Sequence, residues 1–346
     1  MEKKKLNYAS SGVDIAAADR AVDKIKLLAR ATFNPCVLSE IGSFGGFFKP
    51  DLSRFEKPVL ISSADGVGTK LKLAFMSGIH NTVGEDLVNH CVDDILVHGA
   101  RPLFFMDYIG TGKLNSETIA EIVEGFSRGC QRAGMALLGG ETAEMPDFYS
   151  PGEYDLAGFI VGIVDQKRII NGTTISAGDV VIGLASNGLH TNGYSLARKV
   201  VFDVAVLEFD SRVETLGMPV GEALLMTHKC YLDAVYPLLD KFDIKGMAHI
   251  TGGGIRGNFI RIMPDNLQAV IDKNSWDIPP IFDFIQKTGE IEADDMFQAF
   301  NMGIGFIIVV SRDEVDKMLE NLKDSGEKPY LIGDIKDGNK DIILKG

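Results

Sequence analysis

Apolar residues recur at helical spacing at Ala21, Val22, Ile25, Leu28 and Ala29, which predicts a helix within 14–31. A glycine-rich stretch, Gly42 to Phe48, follows it. The short apolar run Val59-Leu-Ile61 predicts a buried strand that leads into Asp65-Gly-Val-Gly-Thr-Lys70. Gly84 to His98 predicts a helix, and Pro102 to Tyr108 a strand. Ile119, Ile122, Val123, Phe126 and Cys130 mark the next helix. Ala136-Leu-Leu138 is then a strand ahead of Gly139-Gly-Glu-Thr142, and a long apolar run covers Leu156 to Val164. From Gln166 to Asp179 the text turns polar, and a new alternation starts beyond it. Strands are expected at Val180–Leu184, Gln268–Ile271 and Ile304–Val310, with helices at Tyr194–Phe202, Glu222–Leu239 and Glu314–Leu322. The pattern predicts two mixed α/β domains, 1–168 and 169–346.

Composition narrows the function classes. Lys plus Arg number 35 and Asp plus Glu 48, a formal charge of −13 over 346 residues. Such a surface repels phosphate backbones, which argues against nucleic-acid binding. With 45% hydrophobic residues the chain has material for sizeable cores, yet no apolar run approaches the roughly 20 residues of a membrane span. The start, Met1 to Tyr8, is basic without an apolar stretch behind it, unlike a signal peptide. Cys36, Cys91, Cys130 and Cys230 are scattered with no CxxC pair, which is the usage of a reduced, cytoplasmic protein.

Three motif matches fail on context. Gly110-Thr-Gly-Lys113 resembles the end of a phosphate-binding P-loop, but Leu114 stands where Ser or Thr is needed. Gly125-Phe-Ser-Arg-Gly129 matches a nucleophile elbow, yet Ser127 lies inside a helical repeat. Gly252 to Gly257 matches GxGxxG, with Asp272 and Asp277 only loosely placed for a ribose contact, so a dinucleotide oxidoreductase is a weak alternative. There is no HExxH and no paired CxxC to suggest zinc.

Most glycine clusters follow a predicted strand and sit beside an acid, a hydroxyl or a lysine. Backbone N–H groups in such turns can cradle phosphate, and neighbouring carboxylates suit Mg²⁺. For any one cluster a solvated turn is the commoner outcome. On the 84–98 helix, Asp93 falls about 160° from the centre of the apolar stripe and Asp94 about 100° away. Asp93 is therefore expected in solvent and Asp94 at the edge of a cleft. His190 and His249 lie in polar loops after apolar strands, a functional setting. His80, His90 and His228 read as ordinary surface residues.

Taken in order, GVDI at Gly12, DGVGTK at Asp65, FFMDYIGTGKL at Phe104, GGETAEMP at Gly139, YDLAGF at Tyr154, SNGLHTNGYSL at Ser186, HITGGG at His249 and FNMGIG at Phe300 resemble the phosphoribosylformylglycinamidine cyclo-ligases, or aminoimidazole ribonucleotide synthetases. The resemblance covers nearly the whole chain. Two segments depart from the family pattern: Ala16-Ala-Ala-Asp19 replaces Asp-Ala-Gly-Asn, and Ile255-Arg-Gly-Asn258 replaces a common Pro-Glu-Asn.

The resemblance implies an ATP-dependent ring closure in purine biosynthesis, giving aminoimidazole ribonucleotide, ADP and phosphate from formylglycinamidine ribonucleotide. It also implies a homodimer whose N-terminal sheets join into a barrel, and an ATP site that is not a P-loop. Carried over by position, Asp65, Asp94 and Glu141 are the expected Mg²⁺ ligands. Lys26, Gly45, Gly46, Gly66, Gly68, Thr69, Lys70 and Thr142 complete the expected nucleotide site. His190, Lys70 and Asn192 are the expected catalytic residues, and His190, Asn192, His249, Thr251 and Gly252 the expected substrate contacts. Relatives of the same architecture, thiamine-phosphate kinases and selenophosphate synthetases among them, are the alternative activity; a nucleotide sensor without turnover is the non-catalytic one.

Overall fold

The computed structural model describes residues 24–346. The Gly12 motif and the first part of the helix expected at 14–31 lie outside the described residues, and 24–30 is helical (α1). The described residues divide into two compact units: 24–54, 62–91 and 102–162 form one, and 55–61, 92–101 and 163–346 the other.

A four-stranded sheet, most of whose residues fall in the first unit, carries β1 (Pro58–Gly66), β2 (Arg101–Thr111), β3 (Ala136–Glu144) and β4 (Tyr154–Asp165), in the order β1-β4-β2-β3. Alternation along β4 buries Tyr154, Leu156, Gly158 and Ile160 while Asp155 and Phe159 face outward. The helices are α2 (Leu71–Ser77), α3 (Asn81–Leu96) and α4 (Ser116–Arg132). The Asn115 side chain accepts from the N–H groups of Glu117 and Thr118, each at 3.0 Å, and so caps α4. A Cβ on Gly125 would stand 2.4 Å from the Asn81 carbonyl, and one on Gly129 2.8 Å from Val88 Cβ. The glycines of the apparent nucleophile elbow therefore serve close packing of α3 on α4.

Helix α3 corrects one expectation. Glu85, Asp86, Asn89, His90 and Asp93 are all buried, so the helix has no watery side over this stretch. The angular argument for Asp93 assumed one; Asp93 is fully enclosed instead.

The second unit carries β5 (Val180–Ala185), the two-stranded ribbon β6 (Arg212–Val213) and β7 (Met218–Pro219), then β8 (Gly246–His249), β9 (Leu267–Asp272), β10 (Ile304–Val310), β11 (Pro329–Asp337) and β12 (Asp341–Lys345). Six of these strands make one sheet, ordered β12-β9-β11-β5-β10-β8. Every residue of β10 is buried, between β5 and β8, which explains its unbroken apolar text.

Two expected helices are interrupted. The Tyr194–Phe202 pattern holds α-geometry only over Tyr194–Arg198 (α5), then widens to a π-turn through Val204. The Glu222–Leu239 pattern splits into Val220–Leu225 (α6) and Leu232–Val235 (α7). Between them the Thr227 carbonyl accepts from Asn187 Nδ2 at 2.7 Å, and the Tyr231 N–H donates to Asp93 Oδ1 at 2.9 Å. Side chains thus take backbone groups that a continuous helix would use. Among the described residues no helix is long and apolar enough to cross a membrane, and the four cysteines are unbonded.

Candidate functional site

In the first unit, β2 and β3 run parallel, and their register slips between Phe105 and Met106. Beyond the slip Asp107 stands opposite Gly140, and Tyr108 opposite Glu141. A Cβ on Gly140 would lie 2.4 Å from Asp107 Oδ1, so only glycine leaves space for that carboxyl. Here β3 helps to wall a cleft of about 290 Å³, at the small end for ligand sites. Gly42 to Gly46 form the facing wall, and Asp107, Gly139, Gly140, Glu141 and Thr142 the near one.

Gly45 and Gly139 have open space where a side chain would be, whereas Gly46 presses on Leu138. A Cβ on Gly42 would be 3.8 Å from Lys26 Cε, which puts the Lys26 stem beside the glycine loop. Loss of water around the Asp107 carboxyl pushes it up to about 7, against its backbone hydrogen bond, and the Glu141 charge adds to the rise. The cleft brings together Gly45, Gly46, Glu141 and Thr142 from the expected set, and adds Asp107. Its hard carboxylate oxygens and bare glycine backbone are the donors that a magnesium-bound phosphate needs.

The DGVGTK turn is arranged differently. Asp65 is exposed, and one of its carboxylate oxygens lies 2.8 Å from His90 Nε2. His90 is thus a buried partner of Asp65, not a surface residue. Gly68 (φ +67°) and Thr69 are exposed, while a Cβ on Gly66 would meet the Leu156 carbonyl at 3.1 Å. The Lys70 ammonium is enclosed and donates to Asp86 Oδ1 at 2.8 Å. Burial lowers its pKa, and the Asp86 charge opposes that shift. His80 also departs from the surface reading: it is half-buried, with Nδ1 2.9 Å from the Tyr154 hydroxyl.

In the second unit, the turns after β5 and β8 carry the expected substrate residues. Asn258 Nδ2 donates to the carbonyls of Thr251, Gly252 and Gly254, and its Oδ1 accepts from the Thr251 hydroxyl at 3.1 Å. A Cβ on Gly252 would lie 3.3 Å from Asn192 Oδ1, so Asn192, Thr251 and Gly252 share one neighbourhood. Asn301 fastens the β5 turn, accepting from Ser186 Oγ and donating to the Gly188 carbonyl, each at 2.9 Å. Neither asparagine was singled out from sequence, although each sits in or beside a quoted motif.

His190 and His249 do not line an open wall; they are buried, as is His228. His228 Nε2 and His249 Nε2 are 3.0 Å apart, and His190 stacks on His228 with ring centroids 4.2 Å apart. His249 Nδ1 is 2.9 Å from Asp94 Oδ1, and His228 Nδ1 is 3.2 Å from Thr191 Oγ1. Burial holds the Asp93 carboxyl well above its usual range; the Tyr231 N–H opposes this and the Asp94 charge adds to it. The surface reading of His228 is overturned. His228 carried no glycine or motif signal, so nothing in its local sequence marked it.

Residues 52–164 match the family described as AIR synthase related protein, N-terminal domain, and residues 176–345 match its C-terminal domain. This chain belongs to the AIR synthase family. It is 52% identical over 338 residues to the phosphoribosylformylglycinamidine cyclo-ligase of Thermodesulfovibrio yellowstonii, covering 98% of each chain. It is 54% identical to the enzyme of that name from Syntrophotalea carbinolica, covering 96% of this chain and 95% of the relative. The fold resembles the thiamine-monophosphate kinase of Stenotrophomonas maltophilia, with a TM-score of 0.67 at 17% identity over 94% and 96% of the two chains. It also resembles the hydrogenase maturation protein HypE crystallised in complex with ATP, with a TM-score of 0.68 at 15% identity over 96% and 92%. The chain is an enzyme of the cyclo-ligase kind rather than a kinase of thiamine phosphate.

Proposed function

We propose that this protein closes the imidazole ring of aminoimidazole ribonucleotide from formylglycinamidine ribonucleotide, at the expense of ATP. An amide oxygen leaves poorly, so the reaction begins by making it a phosphate ester. The γ-phosphoryl group forms a bond to the amide oxygen as its bond to the β-phosphate oxygen breaks, releasing ADP. The neighbouring nitrogen then attacks the activated carbon, orthophosphate departs, and the nitrogen loses a proton. Much of this is positioning and neutralisation of charge.

The observation that carries this reading is the cleft between the Gly42–Gly46 loop and the end of β3, where glycine backbone faces Glu141 and Asp107. The open backbone at Gly45 and Gly139 suits close approach of phosphate oxygens. Lys26 supplies positive charge at the loop. Glu141, Asp65 and Asp94 are the carboxylates assigned to magnesium, which when bound neutralises charge on the nucleotide phosphates. Gly66, Gly68 and Thr69 offer a second backbone turn, and Lys70 holds that turn through Asp86. Asn192, Thr251 and Gly252 are assigned to the ribonucleotide substrate, with Asn258 fixing their turn.

We also assign a homodimer through the first unit. Met106 on β2 and Phe159 on β4 are exposed apolar side chains of its sheet, which a second copy would cover. A cytoplasmic location agrees with the unbonded cysteines. The reading is tested by phosphate release from ATP with and without formylglycinamidine ribonucleotide. Release that depends on this substrate supports it. Phosphate release that responds only to selenide, or ADP release with thiamine phosphate and no free phosphate, points to the alternative chemistry.

A further inference from the structure

The histidines His190, His228 and His249 of the second unit are buried against one another, and their geometry points to a role beyond substrate contact. We propose that His228, His249 and His190 form a second cation site, with the Asp93 carboxyl beside it, that takes a transition-metal ion of the zinc class. Three observations converge on it. His228 Nε2 and His249 Nε2 face each other at 3.0 Å, and two nitrogens on a tetrahedral zinc ion, bonded at about 2.0–2.1 Å, stand about 3.3 Å apart. The opposite nitrogen of each ring is already held by oxygen, Nδ1 of His249 by Asp94 and Nδ1 of His228 by Thr191. That is the outer arrangement that fixes the orientation of metal-binding histidines.

The third observation concerns charge. Asp93 Oδ2 is enclosed, accepts no hydrogen bond, and lies 3.7 Å from His228 Nε2. A carboxylate oxygen in that position is costly, and a cation at the histidine nitrogens would offset the cost. His190 is the third donor: one of its ring nitrogens lies within 4.8 Å of those of His228 and His249. Its ring now stacks on His228 with 27° between the planes, so it must turn to aim a lone pair at the shared point. His190 holds a left-handed backbone (φ +63°), a conformation that costs energy in a non-glycine residue. Three imidazoles favour zinc, cobalt or iron over magnesium.

The test uses the full-length enzyme, stripped with chelator and returned to buffer containing millimolar magnesium. Titration with Co²⁺ is followed by visible absorption and Zn²⁺ by calorimetry. One equivalent of each is expected, with the absorption of tetrahedral cobalt. His228→Gln should weaken binding at least about 100-fold, since even outer partners of metal ligands cost 10–100-fold. His98→Gln, which alters a histidine held on the Ile170 carbonyl, should bind as wild type. Because a cluster variant can misfold, the wild-type protein alone provides a second readout: Zn²⁺ should raise its thermal midpoint in magnesium buffer. No saturable Co²⁺ or Zn²⁺ binding by the wild type, or equal binding by His228→Gln, would overturn the proposal and leave a hydrogen-bonded histidine stack.

Discussion

The cleft in the first unit and the histidine cluster in the second are both polar sites, built in opposite ways. In the cleft, glycines remove side chains so that backbone and two carboxylates meet an open space. In the cluster, side chains fill the space and ring nitrogens meet one another, with His190, His228 and Asp93 almost wholly enclosed. An open site with few atoms of its own suits a ligand that enters and leaves each turnover. A sealed site suits a group that stays. The difference explains why exchangeable nucleotide is assigned to the first and a resident ion to the second.

The largest expected effect tests whether Lys70 belongs to the open site or to the interior. Lys70→Met leaves Asp86 buried without its ammonium and should cost about 3–5 kcal/mol of stability in urea unfolding. A stable variant with weakened ATP binding would return Lys70 to the phosphate site. Glu141→Gln keeps shape but removes a charge from the cleft, and kcat should fall about 10²–10³-fold with unchanged circular dichroism. Gly139→Val meets no neighbour in the fold, so it should leave stability near wild type. Its affinity for a non-hydrolysable ATP analogue should nevertheless fall about tenfold, since the branched side chain stands where phosphate approaches.

The smallest effect is a pH dependence. The Asp107 carboxyl is pushed up to about 7 from its ordinary 3.8, so the folded chain holds a proton that the unfolded chain has released. This contribution to stability is complete below pH 3.8, falls as pH rises, and is gone above about pH 7. Asp107→Asn abolishes the slope, so its urea midpoint should gain on wild type between pH 5 and pH 8. A constant gap would mean that Asp107 is ionised throughout.

The glycine clusters were legible because a bare backbone next to an acid leaves a signature in one short stretch of text. That signature alone did not single out one cluster; Gly45, Gly46, Glu141 and Thr142 were chosen through the family resemblance, and they line one cleft. Strands such as Val180–Ala185 and Ile304–Val310 were legible because burial on both faces makes them continuously apolar. Asp93 and His228 were not, since their burial is decided by elements more than 130 positions apart in the chain. A helical wheel sees one helix and assumes water on its polar side; α3 has none there. Asp107 was missed for a related reason. Its exposure to the cleft depends on a one-residue slip between two strands, which no local pattern encodes.

The most direct measurement counts products. With ATP, magnesium and formylglycinamidine ribonucleotide, the enzyme should form one aminoimidazole ribonucleotide for each ADP released, and Glu141→Gln should lower both together. ADP release without the imidazole product would contradict the account, because it would mean that the cleft hydrolyses nucleotide or passes its phosphoryl group to a different acceptor.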